Sequence, residues 1–219
     1  MRFNKAILIG SRSDAARELG DLCEDLGISE KHFLDNLSDG FGEELERLTG
    51  VKALSSAQTS RPLLVICPFT PGIRAQIAEN LSARGFFASP PLIHPSVSIS
   101  TAAEIAEGSV IGRLVSISHQ SIIRRFTHLN RSSSIGHNCD VGDFVSVGPG
   151  ATVCGGVRIH QGAFIGAGAT ILPGVEIGAN SVIGAGSVVL EDVRERTLVV
   201  GNPAIETRAA THGYGGYSV

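Results

Sequence analysis

Tryptophan is missing from this 219-residue chain, and aromatic residues supply only 5% of it. With 42% of residues apolar, a sizeable core can still form, but Val, Ile, Leu and Ala must build it. No run of Lys or Arg is present and the formal net charge is −3, which argues against nucleic acid or an anionic membrane as a partner. The apolar stretches end after about six residues, far short of the ~18 that a membrane span needs. The first residues, MRFNKAILIGSRSD, hold one short apolar run and no small-residue cleavage site. They do not read as a secretory signal, so a cytoplasmic location is expected. Cys23, Cys67, Cys139 and Cys154 form no CxxC pair, so reduced thiols are expected rather than a zinc site. There is no G-X-Y period either, which removes a collagen-like chain from consideration.

What the chain does have is glycine, 27 residues of it, and a rhythm of six. Every sixth residue from Ile93 to Val189 is Ile, Leu or Val, seventeen in succession. If such residues filled about a quarter of positions at random, the chance of that run is on the order of 10⁻¹⁰. The residue four later is always small or β-branched, from Val97 through Ala151 and Ala169 to Val193. A period of six fits neither an α-helix nor a hairpin sheet. It fits a parallel β-helix in which each hexad is one short strand plus a turn. The large aliphatic fills the interior and the small residue points inward where the wall bends. Gly112, Gly136, Gly142, Gly148, Gly166, Gly178 and Gly184 each follow the aliphatic. They read as corner residues whose backbone geometry a Cβ would penalise.

Residues 1–90 alternate strand and helix patterns: AILIG at 6–10, a helix over 13–26, HFLD at 32–35, LLVI at 63–66 and a helix over 72–84. That order predicts a small Rossmann-like parallel α/β domain. The polar stretch 53–61 reads as a loop, and Pro90 and Pro91 mark the passage into the repeat. The first loop, Gly10 to Asp14, lacks GxGxxG, so NAD binding is unsupported. From spacing alone it is either a ligand loop beside a helix N-terminus or a plain β–α turn.

The hexads resemble the left-handed β-helix of the hexapeptide-repeat acyltransferases, three hexads to a triangular coil. With the α/β domain, the lead-in His94-Pro95-Ser96 and the closing Gly201-Asn202-Pro203-Ala204, the chain looks like the sialic-acid O-acetyltransferases and the bacillosamine-pathway N-acetyltransferases. The resemblance implies three segments: residues 1–90 binding the acceptor, a β-helix over 91–205, and a tail over 206–219. It also implies a homotrimer that moves an acetyl group from acetyl-CoA to an amine or hydroxyl of a sugar, often nucleotide-linked, without a metal. His137, in SIGHNCDVGD, matches the family's general base, and imidazole suits that role near neutral pH. The family has an acid after this His. Here Asn138 stands there, with Asp140 and Asp143 as nearby candidates to replace it.

Positions matching the family's pantetheine groove are Gly166, Ala167, Gly184 and Ala185, with Ser146 nearer the thioester. Arg158, Arg194, Arg196 and Arg208 are candidate phosphate cations, while Ile205 takes a place often held by Lys or Arg. Acceptor positions carried over are Arg12, Ser13 and Asp14, with Asp14 replacing the usual His, and Asp35 and Asn36, which match a uracil site. His119, 18 residues before His137, should lie one coil beneath it with the imidazoles stacked. There it either touches substrate or base, or is a surface residue in register. Cys139 falls inside the prism and is a poor nucleophile. Two other readings remain open on sequence: a non-catalytic β-helix scaffold or small-molecule sensor, and a transferase with a different acceptor or acyl donor.

Overall fold

The structure is a computed structural model, described over residues 3–10, 14–35, 40–49, 62–86, 88–209 and 211–219. From Leu92 the chain winds into a left-handed parallel β-helix of about six turns. Its two-residue strands stack in three faces. Face one holds Leu92–Ile93, Val110–Ile111, His128–Leu129, Ser146–Val147, Phe164–Ile165 and Val182–Ile183, and ends on Leu198–Gly201. Face two runs from Ser98–Ile99 to Val188–Val189, and face three from Glu104–Ile105 to Glu176–Ile177. Each strand pairs in parallel with the one a full coil later, as Leu129 pairs with Val147.

The hexad aliphatics form the interior column. Ile111, Ile123, Val141, Val147, Ile165, Ile171, Ile177 and Ile183 are fully buried, each worth about 1.5–3 kcal/mol of transfer free energy. The small residues four positions later are half-buried at Val97 and Ala103, and buried from Ser109 on. Where they are polar, corner carbonyls satisfy them: the Ser121 hydroxyl donates to Gly136 O at 2.6 Å and Thr127 to Gly142 O at 2.8 Å. The expectation about glycine needs correcting. The left-handed residue is the third after the aliphatic, for example Asn138 (φ 57°) and Gly150 (φ 67°). Glycines directly after the aliphatic serve close stacking instead: a Cβ on Gly166 would lie 2.5 Å from Ala185 N on the next coil.

The N-terminal unit is a three-stranded parallel sheet of β1 (Lys5–Ile9), β2 (Glu30–Leu34) and β3 (Leu63–Ile66), in the order β2-β1-β3. Helices α1 (Asp14–Asp25), α2 (Phe41–Thr49) and α3 (Pro71–Ala83) cover it. Alternation along β1 divides the core: Ala6 and Leu8 pack on α1, whereas Ile7 and Ile9 pack on α2 and α3. Helix α2 has no counterpart in the sequence reading, although it buries Phe41, Leu45 and Leu48 at helical spacing. The 53–61 loop falls outside the described residues.

This unit sits on face one and grips both edges of it. At the edge between faces one and two, Arg113 and Arg131 pair with Asp25 and Glu18 of α1. At the edge between faces three and one, Phe126 and Phe144 join the α2–α3 core. Arg74 of α3 is fully buried there. Its guanidinium donates to the carbonyls of Phe126 (2.7 Å), Pro68 (2.9 Å), Phe69 (3.1 Å), Phe144 (2.8 Å) and Val145 (3.1 Å), and to Ser146 Oγ (3.0 Å). Burial lowers its pKa to about 9.

His128 is also sealed under the unit, 5% exposed, with its ring stacked on Phe69 at 5.8 Å. Its Nε2 has no partner among the described residues. Burial, and then the charge of Arg74, hold its pKa well below the ordinary 6.5. Below that value the unfolded chain binds a proton here that the folded chain does not. Stability therefore falls as pH drops under 6.5, with a slope of ~1.4 kcal/mol per pH unit for one proton. In His128→Phe that part of the slope should vanish, read as a smaller loss of denaturant midpoint between pH 7 and 5 than in the parent. Equal losses would refute it.

After the last coil, Leu198–Gly201 turns through the cis Asn202–Pro203 bond into Ala204–Arg208, which pairs antiparallel with it. This strand crosses the boundary at 205/206 expected for the tail. No helix of the described residues is long and apolar enough to cross a membrane.

Candidate functional site

His137 is exposed on the edge between faces two and three. Its Nδ1 lies 2.9 Å from Asn138 Oδ1, and Asn138 Nδ2 donates to Gln120 Oε1 at 3.0 Å. Since the amide oxygen can only accept, Nδ1 carries the proton and Nε2 keeps its lone pair. The left-handed turn sets this up: Gln120 and Asn138 occupy the same turn position one coil apart (φ 54° and 57°), so their amides meet. Asn tolerates that conformation better than most residues.

Asn138 thus orients the imidazole itself, and neither acid nearby takes over. Asp140 is bidentate to Arg124 at 2.7 and 2.8 Å, and Asp143 pairs with Arg125 at 2.9 Å. The guanidinium of Arg124 holds the Asp140 carboxyl below its usual range. Both readings of these acids as partners of His137 are therefore set aside.

The His137 ring leans up the edge over the following coil. A Cβ on Gly155 would come within 2.5 Å of its Nε2. The stacking expected with His119 is not formed: among the described residues no ring contact joins the two, and it is the His119 carbonyl that accepts Asn138 N–H at 2.9 Å. Gly155→Ala should push the ring off its position without unfolding the coil. Misplacement of about 1 Å costs on the order of 10²-fold. The check is kcat against thermal midpoint, and a variant with normal kcat would show that ring placement does not matter.

Ala167 and Ala185 are exposed, and Gly166 and Gly184 lie beside them, on the edge between faces one and two. Within one chain face two separates them from His137. Among the described residues the main-chain N–H groups of Gly155, Ala167 and Ala185 donate to nothing in the chain. Such outward donors suit carbonyl oxygens of a linear ligand. Ser146 is elsewhere: it is fully buried, donates to Phe69 O at 2.6 Å and accepts from Arg74. Its expected place near a thioester is corrected, because its hydroxyl is committed under the α/β unit. Arg158 and Arg194 pair with Glu176 and Glu206, whereas Arg196 and Arg208 are exposed. Cys139 is buried as expected; burial raises its pKa, and its thiol donates to Cys154 O at 3.1 Å.

On the α/β side two cavities share Ala15 and Phe69. One, of about 300 Å³, lies between α1 and face one, with His128 on its wall. The other, of about 610 Å³, lies at the C-terminal ends of the strands, where Gly10, Asp35 and Pro68 meet. Parallel sheets commonly bind ligands at that end. Asp14 is exposed and faces Arg17 at 3.7 Å. Arg12, Ser13 and Asn36 lie outside the described residues. Neither cavity reaches His137.

The family described as bacterial transferase hexapeptide (six repeats) matches residues 156–191. Solved structures align over nearly the whole chain. The acetyltransferase domain of PglB from Neisseria gonorrhoeae, in complex with acetyl coenzyme A, is 30% identical over 93% of this chain and 99% of its own, with a TM-score of 0.80. PerB from Caulobacter crescentus, in complex with CoA and GDP-perosamine, is 25% identical over 93% and 97%, with a TM-score of 0.82. WeeI from Acinetobacter baumannii is 26% identical over 92% and 99%, with a TM-score of 0.77. No curated protein matches the sequence.

Proposed function

The chain belongs to the hexapeptide-repeat acetyltransferases, which draw their acyl group from acetyl-CoA, and on that premise we propose that it acetylates the amine of a nucleotide-linked amino sugar with His137 as general base. One observation carries the role of His137: its Nδ1 is tied to Asn138, and its Nε2 lone pair faces Gly155 on an exposed edge, beside an unpaired N–H.

In the proposed reaction the neutral amine of the acceptor attacks the thioester carbonyl carbon, and Nε2 removes its proton. The oxyanion accepts a hydrogen bond from Gly155 N–H, an arrangement already in place before reaction. Collapse expels the thiolate of CoA, which takes the proton back from the imidazolium, and the amide leaves. Free N–H groups at Ala167 and Ala185 support a groove for the pantetheine arm. The amino-sugar class is supported by GDP-perosamine in the PerB complex, and by a cavity at the strand ends of the α/β unit. The reading as a scaffold without catalysis rests on Asn138 and Asp14 standing where the family has an acid and a His; of these, Asn138 holds the imidazole in the tautomer that catalysis needs.

The site spans two copies. A three-sided prism has one edge opposite each face, and His137 occupies the edge opposite face one, which its own α/β unit covers. The acceptor must therefore reach His137 from a neighbouring copy. A closed ring of three, each serving the next, meets that need. The reading also places the chain in the cytoplasm, with acetyl-CoA. Two experiments test it. Thiol release from acetyl-CoA is followed with UDP- and GDP-linked amino sugars; no turnover on any, with no binding of CoA, overturns the function. Equal amounts of His137→Ala and Asp35→Ala copies, each inactive alone, are then co-assembled. If base and pocket come from different copies, half of each is intact at random, and about one quarter of parental activity should return. Zero recovery would place base and pocket in one chain.

A further inference from the structure

Residues 211–219 leave the β-helix and fold back across face one to the α/β unit. Both ends are tied down. Thr211 N–H donates to Arg196 O at 2.7 Å. Val219 N–H donates to Asn180 Oδ1 at 2.8 Å, while Asn180 Nδ2 approaches Val219 O at 3.4 Å. Asn180 is buried, so this clasp is largely shielded from water. Two glycines make room for the segment: a Cβ on Gly162 would lie 2.8 Å from Val219 Cγ2, and one on Gly72 of α3 would lie 2.6 Å from Tyr217 Cβ.

Between the ties the segment turns through Gly213, Gly215 and Gly216, all with positive φ. That turn brings Tyr214 and Tyr217 to one side, where both line the 610 Å³ cavity facing Gly10 and Asp35. The Tyr214 ring lies flat on Phe164, with centroids 3.5 Å apart and planes 2° from parallel. Its position is thus set by face one. Yet Tyr214 remains 39% exposed and Tyr217 42% exposed. Neither hydroxyl has a hydrogen-bond partner among the described residues. Aromatic rings held rigidly and left open in a concave site present flat faces to which a planar ligand can bind.

We propose that the 211–219 segment is one wall of the acceptor pocket, and that Tyr217 and Tyr214 bind the base of the acceptor's nucleoside diphosphate by ring contact. This rests on the nucleotide-sugar reading above. The same cavity is lined by Asp35, a hydrogen-bonding group for the base's edge, so stacking and edge recognition come from opposite ends of the sequence. Ring contact with a base tolerates purine and pyrimidine alike, because each has a π-face.

The chain has two tyrosines and no tryptophan, so its tyrosine emission reports on this segment alone. UDP and GDP are titrated into the full-length assembled protein, with calorimetry for binding, and with N-acetyltyrosinamide as the control for absorbance by the nucleotide. Saturable quenching of emission should track the calorimetric isotherm of at least one nucleotide. Tyr217→Ala should weaken that nucleotide about 5- to 100-fold and raise the acceptor KM to match, leaving the acetyl-CoA KM unchanged. Tyr217→Phe, which keeps the ring, should bind as the parent does. The proposal falls alone if the parent binds nucleotide with unchanged emission, or if Tyr217→Ala and Tyr214→Ala both bind it normally. It also falls if Tyr217→Phe binds as weakly as Tyr217→Ala. A parent that binds neither nucleotide overturns the acceptor reading and this proposal together.

Discussion

His137→Ala is expected to lower turnover by about 10²–10⁴-fold while acetyl-CoA still binds, because the proposed role is that of a positioned general base, which contributes that much, and the proposed donor groove is built of main-chain groups that the substitution leaves in place. The amine must lose a proton as it bonds to the thioester carbon, and bulk water then becomes the acceptor of that proton. The loss should sit in kcat, with KM for acetyl-CoA little changed. Since the imidazole is exposed, the variant keeps its fold and its melting temperature. Retention of more than about a third of parental turnover would remove His137 from the mechanism.

The second large effect concerns the fold. Arg74→Met should destabilise the protein by about 3–5 kcal/mol, as a few buried carbonyls at roughly 1–3 kcal/mol each imply. The stem of Met fills part of the space, but the carbonyls of Phe126 and Phe144 on one side, and of Pro68 on the other, lose their donor in a buried contact, whereas Val145 O keeps His128 N–H and Phe69 O keeps the Ser146 hydroxyl. Lys in its place recovers only part, because an ammonium lacks the planar fork that reaches acceptors on both units. Limited proteolysis should cut the α/β unit first while the β-helix persists. A midpoint in urea equal to the parent's would show that the guanidinium holds nothing together.

That residue also shows where sequence reading stops. The interior of the β-helix was legible because every coil repeats the same burial pattern, and a repeat exposes its core by arithmetic. The strands and first and third helices of the α/β unit could be read from local alternation. Arg74 could not. A charge on a helix reads as a surface residue, and four of its six acceptors lie 52 to 72 residues away on another unit. Ser146 matches a family position near the thioester, and only the fold shows that α3 and Phe69 cover it. The corner glycines were assigned a dihedral role that belongs two residues later, since spacing alone does not separate a twisted backbone from a crowded one. The motif marks His137 as the proposed base but not its tautomer, because Gln120 reaches Asn138 only after one full coil has closed.

The reversed strand at the end of the β-helix bears on how copies meet. Coils of identical register have no inherent length limit, since each top row of amide and carbonyl groups is a template for another, and an uncapped template invites end-on fibre growth. On face one that row is occupied by Ala204–Arg208, which runs opposite to every strand beneath it and has Glu206 tied to Arg194. An incoming coil there would meet mismatched polarity and fixed charge. Face one is thereby closed to end-on addition, which leaves the flanks of the prism for the closed ring of three proposed above.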